Sequence, residues 1–424
     1  MTAHYIYRCS SCGTDFSADE IESRFHYLCP RCGRLEKNQP LRGVLTIWYD
    51  YGQIKKSISR AEFLRLPAGQ MWRYPYLWPL KPGRDGSGFE GISARQLHLL
   101  NLSAEVYHLR YQKQAFLALD DTRNPTFSYK DRASILVALK ALQTGIGEIS
   151  AASTGNAGSS LAGICARLGL TARVWVPENI PPAKLLQIQS YGAQVHVVRG
   201  GYDAAFDLSL EIGAQRGWYN RNTAYNPLTI EGKKSAAFDL FIRTGGELPE
   251  MIFVPVGDGV IIAGVYKGLL ELRQLGWIER LPRLIAVQAQ GSDALVRFLH
   301  KGAFTYQPAS TLADSISAGA PRNLYLAAEA VRQTNGQALA VSDRQILTAQ
   351  QILAREMGIL VEPAAAAAFA GYLRLREEKE LGRGMKYAVL LTGNGLKDVA
   401  ALEQWNALPQ ARSAQEWKAF FQEE

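Results

Sequence analysis

The stretch whose reading decides the fold is "AFLALDDTRNPTFSYKDRASILVALKALQ", Ala115–Gln143. Its first seven residues, "AFLALDD" (Ala115–Asp121), are a short apolar run of strand length. "NPTFSYKDRAS" (Asn124–Ser134) is a polar loop around an Asn-Pro pair, and "ASILVALKALQ" (Ala133–Gln143) is rich in helix formers. Strand, loop and helix in that order are the opening of a βαβ unit. Lys130 stands where the loop becomes the helix. A helix N-terminus disfavours a cation and lowers the pKa of an amine. Such an amine can lose its proton and attack an aldehyde. Taken alone, Lys130 reads better as a surface lysine paired with Asp131.

The same alternation continues outward. "EISAAS" (Glu148–Ser153) leads through a Gly/Asn turn into "SSLAGICARLG" (Ser159–Gly169). "ARVWVPE", "PPAKLLQIQSYG" and "QVHVV" follow, then "MIFVPV" before "IIAGVYKGLLELRQLG". "RLIAVQA", "ILVEPAAAAAFAGYLRL" and "YAVLLTGNG" complete the series. β-branched apolar runs joined by helical segments predict an α/β fold with parallel sheets covered on both faces. The Ala364–Ala368 run after Pro363 predicts a tightly packed helix start. There is no internal repeat. Residues from about Val44 to Leu119 read as irregular, and "MWRYPYLWPLKPG" (Met71–Gly83) as an arm packed across the main body.

The chain has 424 residues, 47% hydrophobic and 20% charged, the balance of an ordinary soluble protein of two or three domains. No apolar run is long enough to span a bilayer, and the start lacks the layout of a signal peptide. A cytoplasmic setting is expected. The net charge is +8, but lysines and arginines are scattered, with no run longer than the dipeptides Lys55-Lys56 and Lys233-Lys234 among the densest groups. A basic surface that attracts anionic substrates accounts for this better than nucleic-acid binding.

Four of the five cysteines form two knuckles, Cys9-x-x-Cys12 and Cys29-x-x-Cys32, each followed by a glycine (Gly13, Gly33). Without a secretory signal, such pairs point to metal rather than disulfides. Four thiolates suit tetrahedral Zn²⁺, which would replace the core that so short a segment cannot bury. A structural zinc ribbon is expected over about residues 1–42. A nucleic-acid-binding ribbon and a degenerate, metal-free one are the alternatives.

In doubly wound sheets, ligands bind beyond the carboxyl ends of the strands. Three more loops of that kind stand out. "STGNAGSS" (Ser153–Ser160) offers amides and hydroxyls at a helix start, where a carboxylate fits; a well-capped helix accounts for it equally. "PVGDGVIIAG" (Pro255–Gly264) places glycines where residues 257–261 could cradle a phosphate. It lacks the Gly-Lys-Ser/Thr of a P-loop and the spacing of a dinucleotide fingerprint. Asp258 is an odd neighbour for phosphate and is expected to point away or cap the helix. "LLTGNGLKD" (Leu390–Asp398) offers the neutral hydroxyl of Thr392, or is a simple glycine turn. A lysine, a carboxylate nest, a phosphate cradle and a neutral hydroxyl match what pyridoxal phosphate and an amino acid require. The six histidines lie outside these loops, so Lys130 is the best base on offer.

Five ordered segments, "NPTFSYKDR", "STGN", "NPLTIEGKKSAAFD" (Asn226–Asp239), "VEPAAAA" and "TGNGLKD", resemble the threonine synthase family of fold-type II pyridoxal-phosphate enzymes. The likeness runs from about residue 115 to 400. It implies two doubly wound open-sheet α/β subdomains, the smaller around 145–230, after an arm over 43–114 and before a helical tail over 401–424. It implies that Lys130 bonds the cofactor aldehyde and serves as catalytic base. Asn156 would hold the 3-oxygen, Gly257, Asp258, Gly259, Val260 and Ile261 the phosphate, and Thr392 the ring nitrogen. Ser153, Thr154, Gly155, Asn156 and Ala157 would hold the substrate carboxylate, and Cys9, Cys12, Cys29 and Cys32 a zinc ion. The implied reaction converts O-phospho-L-homoserine and water to L-threonine and phosphate, in a homodimer acting on a small amino acid.

Two positions depart from the family pattern. Thr229 stands where an arginine is usual, and Ala157 where a threonine is. Loss of a guanidinium removes a bidentate phosphate partner. Lys233, Lys234 or Arg322 could compensate. Otherwise the chain resembles a cysteate synthase-like β-replacement enzyme using O-phosphoserine and sulfite, or a threonine/serine dehydratase-like lyase. A zinc-ribbon interaction protein with a vestigial large domain is the non-enzymatic alternative.

Overall fold

The computed structural model describes residues 3–423, other than 85, 87, 154 and 383, and the side chains of 203 and 423 are likewise not described. Three strands at the N-terminus, β1 (Tyr5–Cys9), β2 (Asp15–Ser17) and β3 (Leu45–Tyr49), pair antiparallel in the order β2-β1-β3. The sequence reading ended the ribbon at 42, which would part β1 from β3. The alternating buried and half-buried pattern of "LTIWY" is a one-sided strand, readable only once its partner is known.

β4 (Glu105–Tyr111) and β5 (Gln114–Asp120) form a hairpin. The chain then crosses to a smaller parallel sheet of β6 (Glu148–Ala152), β7 (Thr171–Pro177), β8 (Gln194–Val198) and β9 (Tyr219–Asn220), in the order β8-β7-β6-β9. It returns through β10 (Met251–Pro255), β11 (Arg283–Ala289), β12 (Gln337–Val341) and β13 (Tyr387–Leu391). These complete a six-stranded sheet, β12-β11-β10-β13-β5-β4, parallel except for β4. Residues 44–119 are therefore not irregular throughout: they hold β3, β4, most of β5 and the short helices Tyr51–Ser57, Arg60–Leu64 and Ala94–His98.

The central strands β10 and β13 are buried at every residue, which is why their sequences read as unbroken apolar runs. The helix Lys130–Gln143 is buried from Asp131 to Ala141, and its buried polar residues Asp131, Arg132, Ser134 and Lys140 all have partners. It supports Lys130 from inside the protein. The helix Pro363–Glu377 begins with proline at its first position, as expected, and buries all five alanines of the run. Short helices, Val399–Glu403 and Ala414–Glu423, end the described chain.

Candidate active site

Three loops, at the carboxyl ends of β5, β6 and β10, meet at one cavity, and the loop after β13 packs behind the first of them. Lys130, Ser153, Gly155, Asn156, Ala157 and Gly257–Ile261 line one cavity of about 490 Å³. That volume suits a cofactor and small substrate together. Thr154 lies outside the described residues. Thr392 is buried at the end of β13 and does not line the cavity. Its carbonyl accepts from the Tyr129 amide at 2.9 Å, so it is tied to the residue before Lys130.

Lys130 is the first residue of its helix, but burial, more than its place at the helix start, holds its amine below the ordinary lysine range. The charge of Glu362 opposes this, and Arg221 reinforces it. Asp131 does not pair with Lys130. It accepts from the Thr126 amide at 2.7 Å, the Thr126 hydroxyl at 2.5 Å and the Ser160 hydroxyl at 2.7 Å. It thereby locks the loop before the lysine to the helix Asn156–Leu168.

Ser153 is less an open anion nest than a cap. Its hydroxyl accepts from the amides of Gly155 at 3.1 Å and Gly158 at 2.8 Å. The glycines of the 257–261 loop are required by the protein's own packing as well. A Cβ at Gly257 would lie 2.7 Å from the Ile316 backbone, and Gly259 has φ +83. Close approach is to the chain itself. Asp258 does not cap the helix Val260–Gln274, which has no side-chain cap. One carboxylate oxygen accepts from the Arg322 amide at 3.3 Å. Burial raises the Asp258 pKa, against the pull of that amide and of the Arg322, Lys233 and Lys130 charges.

Three participants had no assigned role in the sequence reading. Glu362, 1% exposed, accepts from Asn156 Nδ2 at 2.8 and 2.9 Å and from the Ser315 hydroxyl at 3.2 Å. Its "VEPAAAA" motif was visible, but nothing local marks the carboxylate as facing a distant lysine. Arg221 is fully buried, donates to Ser134 and Thr223, and keeps Nη2 without a partner among the described residues. Burial depresses its pKa to about 10. Asn38, from the cysteine-bearing segment, also lines the cavity.

The missing arginine at 229 is explained locally. The Thr229 hydroxyl donates to the Asn226 carbonyl at 2.8 Å and accepts from the Ala224 amide at 3.2 Å. Of the three suggested substitutes, Lys234 is committed elsewhere: it pairs with Glu231 and, at 3.0 Å, with Glu271 in a buried cluster. Lys233 and Arg322 line the cavity. Burial drives the Lys233 amine well below its ordinary range, and the charges of Arg221 and Lys130 add to this.

The residues fit pyridoxal phosphate. Lys130 is half-buried and lines the cavity, Asn156 Oδ1 is buried without a partner among the described residues, and the first turn of the helix Val260–Gln274 faces the same space. The four sulfurs at the N-terminus lie within 4.8 Å of one another, with Cys9 and Cys32 at 3.4 Å and Cys12 and Cys29 at 3.8 Å. Bonds of about 2.3 Å in a tetrahedron would place sulfurs about 3.8 Å apart. The cluster could hold a metal ion.

Comparison with known proteins agrees with this geometry. Residues 99–393 match the family model described as pyridoxal-phosphate dependent enzyme. Threonine synthase from Methanocaldococcus jannaschii is 33% identical over 397 residues, 93% of each chain. Threonine synthase from Mycobacterium tuberculosis is 37% identical over 276 residues, 65% of this chain and 75% of that one. Among solved structures, a threonine deaminase from T.th. has a TM-score of 0.57 at 25% identity, covering 66% of this chain and 87% of that one. O-ureido-L-serine synthase, at 17% identity, shares the fold with a TM-score of 0.63 over 77% of this chain and 99% of that one. The chain belongs to the pyridoxal-phosphate dependent enzymes and, within them, to the threonine synthase family of lyases.

Proposed function

We propose that this enzyme converts O-phospho-L-homoserine and water to L-threonine and phosphate. The observation that carries the choice is an excess of buried cations around one cavity. Lys130, Lys233 and Arg322 line it, Lys233 Nζ has no hydrogen bond or ion pair among the described residues, and the charge of Arg221, buried behind the lining, acts on both lysines. Buried cations left unpaired are costly and call for an anion. Asp258 and Glu362 offset part of the charge. A cofactor phosphate together with a phosphorylated substrate accounts for the rest. Unphosphorylated serine or threonine would leave the second set of cations unmatched, which speaks against a dehydratase.

Bound pyridoxal phosphate would supply an electrophilic carbonyl and an electron sink. The chain would do the remainder. Lys130 would hold the cofactor through its amine and, once released, carry protons between adjacent substrate carbons, its lowered pKa favouring the free amine that a base requires. Asn156 would orient the ring through its 3-oxygen. The amides of Gly257–Ile261 would take the cofactor phosphate, and Thr392, outside the lining, would act through its carbonyl's bond to the Tyr129 amide. The 153–157 turn would bind the substrate carboxylate, and Lys233 the phosphate that departs. The N-terminal cluster would bind zinc. A cytoplasmic homodimer is the proposed setting, since clustered thiols persist where the compartment is reducing.

The test is phosphate release with the zinc- and cofactor-loaded protein. O-phospho-L-homoserine should yield threonine and phosphate in equal amounts, and Lys130→Ala should yield neither. Phosphate release from O-phospho-L-serine only in the presence of sulfite, with none from the homoserine ester, would replace this reading by β-replacement.

A further inference from the structure

The cysteine-bearing segment reaches into the catalytic cavity, and the path can be followed atom by atom. The amide of Cys29 donates to the Gly43 carbonyl at 2.8 Å, and Arg34 and Arg42 exchange backbone hydrogen bonds at 3.1 and 3.2 Å. These bonds close a loop, residues 35–41, directly on the second knuckle. The first knuckle grips the same base: the Ser10 amide donates to the Val44 carbonyl at 2.9 Å and the Gly43 amide to the Ser11 hydroxyl at 2.9 Å. Gly43 has φ +69, and a Cβ there would lie 2.7 Å from Gly33 Cα and 3.0 Å from Cys29 Cβ. The base is thus packed against the very turn whose sulfurs face the other knuckle.

At its far end the loop is bonded to the catalytic body. The Leu41 amide donates to the Arg322 carbonyl at 3.0 Å, and Arg322 Nη1 donates to the Gln39 carbonyl at 3.4 Å. The Arg322 amide in turn donates to Asp258, within the loop facing Lys130. Leu41 and Val44 pack on Val260 and Ala263, in the first turns of the helix that follows that loop. Asn38, in a left-handed conformation at φ +57, lines the cavity.

We infer that the metal-filled ribbon is a working wall of the catalytic cavity: it fixes residues 35–41 so that Asn38 meets the substrate, and Gln39 and Leu41 brace Arg322 and the Gly257–Ile261 loop. This rests on the reading of the cavity as the cofactor site. A loop of seven residues held at both ends loses little further entropy when substrate binds. Released at one end, it would have to be ordered by the ligand itself. Metal occupancy therefore sets cofactor and substrate affinity without touching either.

The experiment strips zinc from the holoenzyme with a chelator and a reductant, then restores Zn²⁺. Hydrogen exchange is followed across residues 34–44, with the central strand β10 as internal reference, and pyridoxal phosphate affinity is titrated by absorbance. Stripping should speed exchange in 34–44 at least tenfold and weaken cofactor binding at least tenfold. Zn²⁺ should reverse both, with β10 unchanged throughout. In parallel, Asn38→Ala should keep full zinc content and raise KM at least fivefold with kcat within twofold. A chain that takes up no metal, equal exchange and affinity with and without it, or joint loosening of β10 would overturn the inference, as would an unchanged KM for the Asn38 variant. Failure of the zinc-loaded chain to bind pyridoxal phosphate at all would instead overturn the proposed function.

Discussion

Asn156 Nδ2 donates to both carboxylate oxygens of Glu362, at 2.8 and 2.9 Å, across 206 residues of chain. The pair joins the smaller sheet's first helix to the larger sheet's core. It also places a buried negative charge where it acts on Lys130.

That charge raises the pKa of an amine which burial lowers. Glu362→Gln removes it, so neutral Lys130 forms at lower pH. The rate at which cofactor-free protein captures pyridoxal phosphate, followed by absorbance against pH, should reach half its maximum at lower pH in the variant. A profile that stays in place or moves upward would mean that the carboxylate does not act on Lys130.

Lys233 lines the cavity, and burial holds its amine well below the ordinary range. Lys233→Gln should leave the cofactor spectrum intact and raise KM for O-phospho-L-homoserine about ten- to a hundredfold, the loss of one charge-assisted hydrogen bond of about 1.5–3 kcal/mol. Inhibition by inorganic phosphate should weaken in parallel. An unchanged KM would remove Lys233 from phosphate binding.

Lys397 lies buried in the last glycine loop and donates to the Thr126 carbonyl at 3.0 Å, the Ser159 hydroxyl at 3.1 Å and Gln187 at 2.7 Å. Burial pushes its pKa down to about 8, against the charges of Glu362 and Asp131. Between about pH 8 and its ordinary 10.5, the unfolded chain binds the proton and the folded chain does not. Stability therefore rises with pH in that window, by about 3 kcal/mol across it for this group. Urea unfolding from pH 8 to 10 should show the rise, and Lys397→Met should flatten it. Equal slopes in the two proteins would refute the assignment.

Arg132, fully buried, donates to Asp121 twice at 2.8 Å and to Asp239 at 2.5 Å. Arg132→Met would leave two buried carboxylates without their cation. A loss of about 3–5 kcal/mol is expected, read as a lower urea midpoint. A change under about 1 kcal/mol would show that the two aspartates are protonated or solvated without it.

What the sequence by itself determined is local. Central strands of a parallel sheet are buried on both faces, so β5, β6, β7, β10, β11 and β13 stand out as apolar runs without any knowledge of partners. The loops after them carry the chemistry, and the loop-to-helix setting of Lys130 was legible for the same reason. The edge strands β4 and β12 were not, because each is only half covered and its pattern dilutes into ordinary loop composition. Only the tertiary structure brought Glu362, Arg221 and Asn38 to Lys130, from positions up to 232 residues away in the chain. Their roles depend on burial and on which charges face one another across packed elements. Thr229 and Lys234 teach the converse. Thr229 stands where a phosphate partner is usual and Lys234 is a plausible substitute by type, yet one is spent on its own turn and the other on Glu231 and Glu271. Side-chain type sets what a residue can bind, and packing sets what remains for it to bind.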